Sequence, residues 1–256
     1  MTRLISGVAL AAAALAAILF LPVAALRIVA CGVALIAAHE YVRVAGAAGG
    51  VSQVLLAAAV AAACVFMSLG FTVSAVVVAL IGFAWVAVEV LFLGRTMHQA
   101  GVALFAPLYI GVPLGMLVAI QAELQWQGTL LLIATVIVSD SAQYYSGRML
   151  GRRPLAPSIS PKKTIEGAVG GVLFGTVFMA IAGPRLFPAS GIAWVWLGLA
   201  VVLLGICGDL FESRLKRTAG LKDSSSLIPG HGGILDRIDA LLFAIPAFYL
   251  FLQAAR

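Results

Sequence analysis

Asp209 and Glu212 stand three residues apart, and so do Asp236 and Asp239. At helical spacing each pair occupies one face. Between the pairs lie Arg214, Lys216, Arg217, Lys222 and Asp223, then the turn Pro229-Gly230-His231-Gly232-Gly233, and Arg237 sits within the second pair. Carboxylates brought together from two helices suit a hard divalent cation. Magnesium needs only one or two of them, because phosphate oxygens and water complete its shell. Lysine and arginine nearby can hold a polyphosphate. Small residues in the turn let backbone approach a ligand closely. Together these parts suit phosphoryl or nucleotidyl transfer, in which catalysis is positioning plus charge stabilisation. His231 has three readings: a hydrogen bond to phosphate, proton transfer, or ordering of the turn. A solvated loop with internal salt bridges is the plainer alternative for the stretch. It does not account for His-Gly-Gly, nor for acids at the apolar ends of helices.

Two upstream segments carry related chemistry. Asp140, Gln143, Tyr144 and Gly147 recur at helical spacing near the end of an apolar run. A carboxylate there either reaches the interface, pairs with an arginine, or is functional, and the last is the default. Further on, Ser160-Pro161-Lys162-Lys163-Thr164-Ile165-Glu166-Gly167 reads as a helix start, with Ser160 at the N-cap, Pro161 at N1 and Lys163 at N3. A helix N-terminus with two lysines is an anion site. A basic membrane flank is the alternative. Glu166 either pairs with a lysine or binds metal. Gly167, Gly171 and Gly175 then form a close-packing face, for a helix of the same chain or for a dimer seam. No GxxxxGK[ST] and no GxGxxG opens a nucleotide loop.

The elements that must position these residues are apolar helices. Of 256 residues, 63% are hydrophobic and 10% charged, where a soluble domain carries roughly 25% charged residues. The expected fold is all-α, a polytopic membrane bundle of about nine spans. These fall near 5–21, 23–45, 51–69, 71–94, 101–122, 127–147, 165–187, 191–212 and 237–255. Residues 5–45 are either two spans or one span and a re-entrant piece. The N-terminal run resembles a signal peptide, but further spans follow, so an uncleaved first helix is expected. Residues 1–125 read as a transmembrane scaffold. Residues 126–256 read as the catalytic region, with polar loops at 148–164 and 213–236. Seven of the ten acids lie between 140 and 239.

Twelve of the 16 lysines and arginines fall on the side of those two loops, which places the loops in the cytoplasm. The net charge of +6 then faces anionic lipid rather than nucleic acid. Cys31, Cys64 and Cys207 stand alone in apolar surroundings and read as small buried hydrophobes.

The segment from Ser213 resembles the C-terminal signature of the phosphatidate cytidylyltransferases, also called CDP-diacylglycerol synthases. Ser213, Lys216, Arg217, Lys222, Asp223, Pro229, His231, Gly232, Gly233, Asp236, Arg237 and Asp239 fill its fixed positions. The upstream SPKKTIEG and SDSAQYYSGR segments are similar to that family too. Ile165 stands where the family carries an aromatic, and Ala142-Gln143 where it carries Gly-Ala. The resemblance covers about 140–239.

It implies a helical membrane transferase, in the bacterial cytoplasmic membrane with its site facing the cytoplasm, that makes CDP-diacylglycerol and pyrophosphate from CTP and phosphatidate. It implies Mg²⁺, with a second cation as an option. Asp209, Asp236 and Asp239 would ligate metal, with Asp140 nearby. Lys162, Lys163, Lys216, Arg217 and Lys222 would hold triphosphate or the lipid headgroup. Ser160, Glu166, Gly232 and Gly233 would line the substrates.

A related CTP-dependent lipid enzyme, either a CDP-archaeol synthase or a polyprenol-type kinase, is the nearest alternative. A transporter is the alternative from another class, but it would spread acids through the bilayer depth and show inverted repeats.

Overall fold

The computed structural model describes residues 2–45, 53–70, 85, 87–88, 90–91, 94–188, 191–228, 230 and 232–254. The chain is predominantly helical: α1 (Thr2–Phe20), α2 (Val23–Val44), α3 (Gln53–Ser68), α4 (Met97–Ala106), a π-helical turn (Pro107–Gly111), α5 (Val112–Leu150), β1 (Pro154–Ala156), β2 (Ser160–Thr164), α6 (Ile165–Leu186), α7 (Gly191–Thr218) and α8 (Leu235–Ala254).

Among the described residues four helical runs are long and apolar enough to cross a membrane: Val23–Val44, Met97–Leu150, Ile165–Leu186 and Gly191–Thr218. That composition makes the chain an integral membrane protein. The expected spans at 101–122 and 127–147 lie in one helical run, interrupted at Gln125, whose φ of 55° is not helical. Residues 5–45 form two helices, parted at Leu21-Pro22, where proline cannot continue a helix. The apolar helices Ser6–Phe20 and Gln53–Ser68 are shorter. The span expected at 71–94 lies mostly outside the described residues.

The chain divides into two compact units, residues 1–119 with 218–237, and residues 120–217 with 238–256. In the first unit, α2 and α3 run antiparallel. Arg27 Nε donates to Ser68 Oγ at 2.7 Å near one end, and His39 Nδ1 lies 3.1 Å from Gln53 Oε1 near the other. Tyr41 packs edge-on against Tyr109 of the π-helical turn.

In the second unit, glycine sets how closely the helices approach. A Cβ on Gly171 would meet Gln143 and Ser139, and one on Gly175 would meet Ser139 and Val202. A Cβ on Gly183 would strike the Trp194 ring. Numbers that rise on one helix fall on its neighbour, so α5, α6 and α7 are antiparallel in sequence. α8 continues the pattern: Trp194 meets Phe251, and Phe211 meets Phe243, both with ring centroids 5.5 Å apart. The GxxxGxxxG face is therefore filled within the chain and is not a free dimer seam. On the other side of α6, Val169, Leu173, Val177 and Ile181 are exposed, a stripe suited to acyl chains. Cys207, expected to be buried, is exposed, while Cys64 is buried.

The helix start expected at Ser160 is displaced. Ser160–Thr164 is a strand, paired antiparallel with Pro154–Ala156. Residues before proline avoid the helical region, and a two-stranded ribbon has a free edge that tolerates one. Thr164 is the actual N-cap, its hydroxyl accepting from Gly167 N–H at 3.1 Å. Lys162 and Lys163 thus project from a strand rather than from the first turn of a helix.

Candidate active site

In the second unit the antiparallel order brings the ends near residues 143–150, 164–167, 209–217 and 239 to one end of the helices. The Lys163 ammonium is ion-paired with Asp209 on α7. Ser213 Oγ, one turn further, lies 3.4 Å from Asp209 Oδ1. Asp140 on α5 accepts from Gln143 Nε2 at 2.9 Å, as their shared helical face requires. Asp140 and Asp239 both lie within electrostatic range of Asp209 and Lys163. Gly208 makes the crossing of α7 and α8 possible, since a Cβ there would sit 2.5 Å from the Asp239 carbonyl oxygen.

The flanking residues have specific partners. Glu212 is fully buried and ion-paired with Lys216 one turn on. Arg217 Nε donates to the Ile159 carbonyl at 3.3 Å, tying α7 to the hairpin. Ser160 pairs with Ala156 in the hairpin, and Lys162 is exposed. Among the described residues Glu166 is held by backbone rather than by a lysine. Its Oε2 accepts from the backbone N–H groups of Arg152 (3.0 Å) and Arg153 (3.2 Å), which closes the base of the hairpin.

The first unit holds a carboxylate network around the start of α8 and the loop before it. Asp236 Oδ2 accepts from Ser224 N–H (3.0 Å), Ser224 Oγ (3.0 Å) and Gly233 N–H (2.7 Å). Glu40, on α2 and 3% exposed, accepts from Ser224 Oγ, Ser225 Oγ and the N–H groups of Ile234 and Leu235. The glycines serve this network. Gly232 has φ +78°, which disfavours a side chain, and a Cβ on it would strike Asp236 Oδ2. A Cβ on Gly233 would strike Ser224 Oγ and Glu40 Oε2. These two glycines leave room for the carboxylates of Asp236 and the buried Glu40. Lys222, Asp223 and Arg237 are exposed. His231 and Pro229 lie outside the described residues. Sequence patterning passed over Glu40, whose only local signal is an acid near the end of an apolar run.

Among the described residues no group of three His, Cys, Asp or Glu side chains is gathered for metal. A magnesium ion that takes most of its oxygens from phosphate and water needs only one or two carboxylates, which Asp209 and one acid near it would supply.

The model of the cytidylyltransferase family matches residues 1–255. The chain is 45% identical over 125 residues to a phosphatidate cytidylyltransferase of Aquifex aeolicus, covering 49% of this chain and 47% of the relative. It is 38% identical over 162 residues to the phosphatidate cytidylyltransferase of Bacillus subtilis, covering 61% and 60%. It is 44% identical over 124 residues to the uncharacterized protein YnbB of Escherichia coli, covering 48% and 42%. The matches span about half the length of these curated relatives.

Proposed function

The chain belongs to the cytidylyltransferase family, and from that premise we propose that it transfers CMP from CTP to phosphatidate. The products are CDP-diacylglycerol and pyrophosphate, for phospholipid biosynthesis. The observation that carries this reading is the meeting of Lys163 with Asp209 at the end of the apolar helices where Asp140 and Asp239 also lie. A lipid-embedded scaffold that presents carboxylates and ammonium groups together suits a reaction between a charged lipid headgroup and a nucleoside triphosphate.

A phosphatidate oxygen attacks the α-phosphorus of CTP in line, the bond to the β-phosphate bridging oxygen breaks, and pyrophosphate leaves with that electron pair. The attacking group needs no enzyme base, since a phosphate monoester is already anionic near neutral pH. Lys162, Lys163, Lys216 and Arg217 hold phosphates, and Lys163 exchanges Asp209 for one of them. The family resemblance assigns Lys222, Asp223, His231, Asp236 and Arg237 to the same reaction. Asp209 and Asp239, with Asp140 beside them, would hold magnesium, which neutralises charge on the leaving pyrophosphate. The polar end faces the cytoplasm, by the positive-inside rule, and the membrane is the bacterial inner membrane.

The test supplies purified protein with phosphatidate, magnesium and CTP labelled at the α-phosphate. Label is expected in a lipid product, with release of pyrophosphate. Labelled CDP together with unlabelled lipid would instead indicate a kinase and overturn this reading.

A further inference from the structure

Glu40 belongs to the half of the chain that composition marks as scaffold, yet its described side-chain hydrogen bonds go to the loop before α8 and to the first residue of that helix. Its Oε1 accepts from Ser225 Oγ at 2.6 Å and from Ile234 N–H at 3.1 Å. Its Oε2 accepts from Leu235 N–H at 2.8 Å and Ser224 Oγ at 3.0 Å. One carboxylate thereby grips the loop at two places, 224–225 and 234–235. Between those points the chain turns back on itself, with Ile228 N–H donating to the Gly232 carbonyl at 2.9 Å.

Ser224 joins Glu40 to Asp236. Its hydroxyl lies 3.0 Å from Glu40 Oε2 and 3.0 Å from Asp236 Oδ2. The hydroxyl has one proton, so it donates to one carboxylate at a time. The other is still served by backbone N–H groups, which the loop can offer only in this conformation. A carboxylate taken out of water is tolerated where donors replace the water, and the loop supplies four to Glu40. The bonds therefore constrain both partners: Glu40 needs the folded loop, and the loop's fold needs a carboxylate at that point.

We propose that Glu40 is a positioning residue that clamps the 222–236 segment and so fixes Lys222, Asp223 and Asp236 for catalysis. The catalytic part rests on the nucleotidyl-transfer reading. The loop-ordering part does not.

The experiment uses full-length protein in lipid nanodiscs and compares wild type with Glu40→Gln and Ser225→Ala. Glutamine cannot accept from all four donors, because one of its termini is itself a donor. Tryptic cleavage after Lys222 reads local opening of the loop and requires no substrate. It is expected to accelerate about tenfold in Glu40→Gln, and less in Ser225→Ala, with cleavage elsewhere unchanged. In the CTP and phosphatidate assay, kcat/KM is expected to fall about 100-fold for Glu40→Gln, the scale of a small displacement of catalytic groups. Combined with Lys222→Ala, the two losses should be less than multiplicative, since both act through one loop.

Wild-type cleavage rates in both variants overturn the clamp. Accelerated cleavage with kcat/KM within about twofold of wild type, or fully multiplicative losses, overturns the positioning role. If Glu40→Gln does not fold, Ser225→Ala decides by the same two measurements. A wild-type protein that labels no lipid overturns the functional reading and the catalytic half of the proposal, while the cleavage ratio still reports on the clamp.

Discussion

The Lys163 ammonium and the Asp209 carboxylate form an ion pair across 46 residues of sequence, linking the hairpin strand to α7. Both side chains keep access to solvent, at 24% and 31% exposure. On the proposed nucleotidyl-transfer reading, a triphosphate would compete with Asp209 for this ammonium, and a divalent cation would compete with Lys163 for this carboxylate. In that reading the arrival of either ligand would free a partner for the other.

Lys163→Ala is expected to lower kcat/KM for CTP by about 100- to 1000-fold, as for loss of one group that stabilises developing charge. Lys163→Arg should recover part of that loss, because the charge survives but the compact geometry does not. Initial rates of lipid labelling at subsaturating CTP measure both. Wild-type rates in Lys163→Ala would remove Lys163 from the site.

Asp209→Asn and Asp239→Asn should separate function from folding. Each removes a charge from a group that already includes a neighbouring carboxylate, so relief of repulsion partly offsets any lost contact in the folded protein. Turnover is expected to fall at least about 100-fold, and the magnesium concentration giving half-maximal rate should rise. Thermal unfolding in detergent should shift by only a few degrees, roughly the effect of 1 kcal/mol or less. Unchanged magnesium dependence in both variants would remove them as ligands.

The parts of the site legible in the sequence were those encoded by short-range spacing. The Asp140–Gln143 face and the packing role of Gly171 and Gly175 follow from helical periodicity, and the structure places both accordingly, whereas the Asp236 carboxylate goes to Ser224 and Gly233, a pairing that i, i+3 spacing does not record. Glu40 was not legible, because its partner Ser224 lies 184 residues away and no local pattern records that bond. Ser160 misled for a different reason. Ser-Pro is a strong helix-start signal, but pairing with Pro154–Ala156 keeps the segment extended, and Thr164 supplies an equally good cap four residues later. The glycines of the Gly-Gly turn marked a crowded place in the chain, but the local sequence held no sign that Asp236 and Glu40 are the groups that crowd them.

Glu166→Ala tests whether that acid shapes the hairpin or touches substrate. Its Oε2 is held by two backbone N–H groups at Arg152 and Arg153, so its removal frees the point where β1 departs from α5. Trypsin should then cut after Arg152 and Arg153 faster than in wild type. Catalysis should decline together with that loosening, through Lys162 and Lys163 on the paired strand. Lost activity with wild-type cleavage would assign Glu166 to substrate instead.

Gly208→Ala and Gly191→Ala make a matched pair. A Cβ at Gly208 would stand 2.5 Å from the Asp239 carbonyl oxygen and 3.1 Å from Phe243 Cβ, whereas one at Gly191 would meet nothing within 4 Å. The first contact is with backbone, which cannot rotate away, so α7 and α8 must separate. Overpacking of this kind costs about 1–3 kcal/mol, and the same separation draws Asp239 away from Asp209. Gly208→Ala is therefore expected to lower both the unfolding temperature in detergent and the rate of lipid labelling. Gly191→Ala should leave the rate unchanged and the unfolding temperature equal or slightly higher, since alanine restricts the unfolded chain. Equal behaviour of the two variants would mean that the close crossing at Gly208 does not position Asp239.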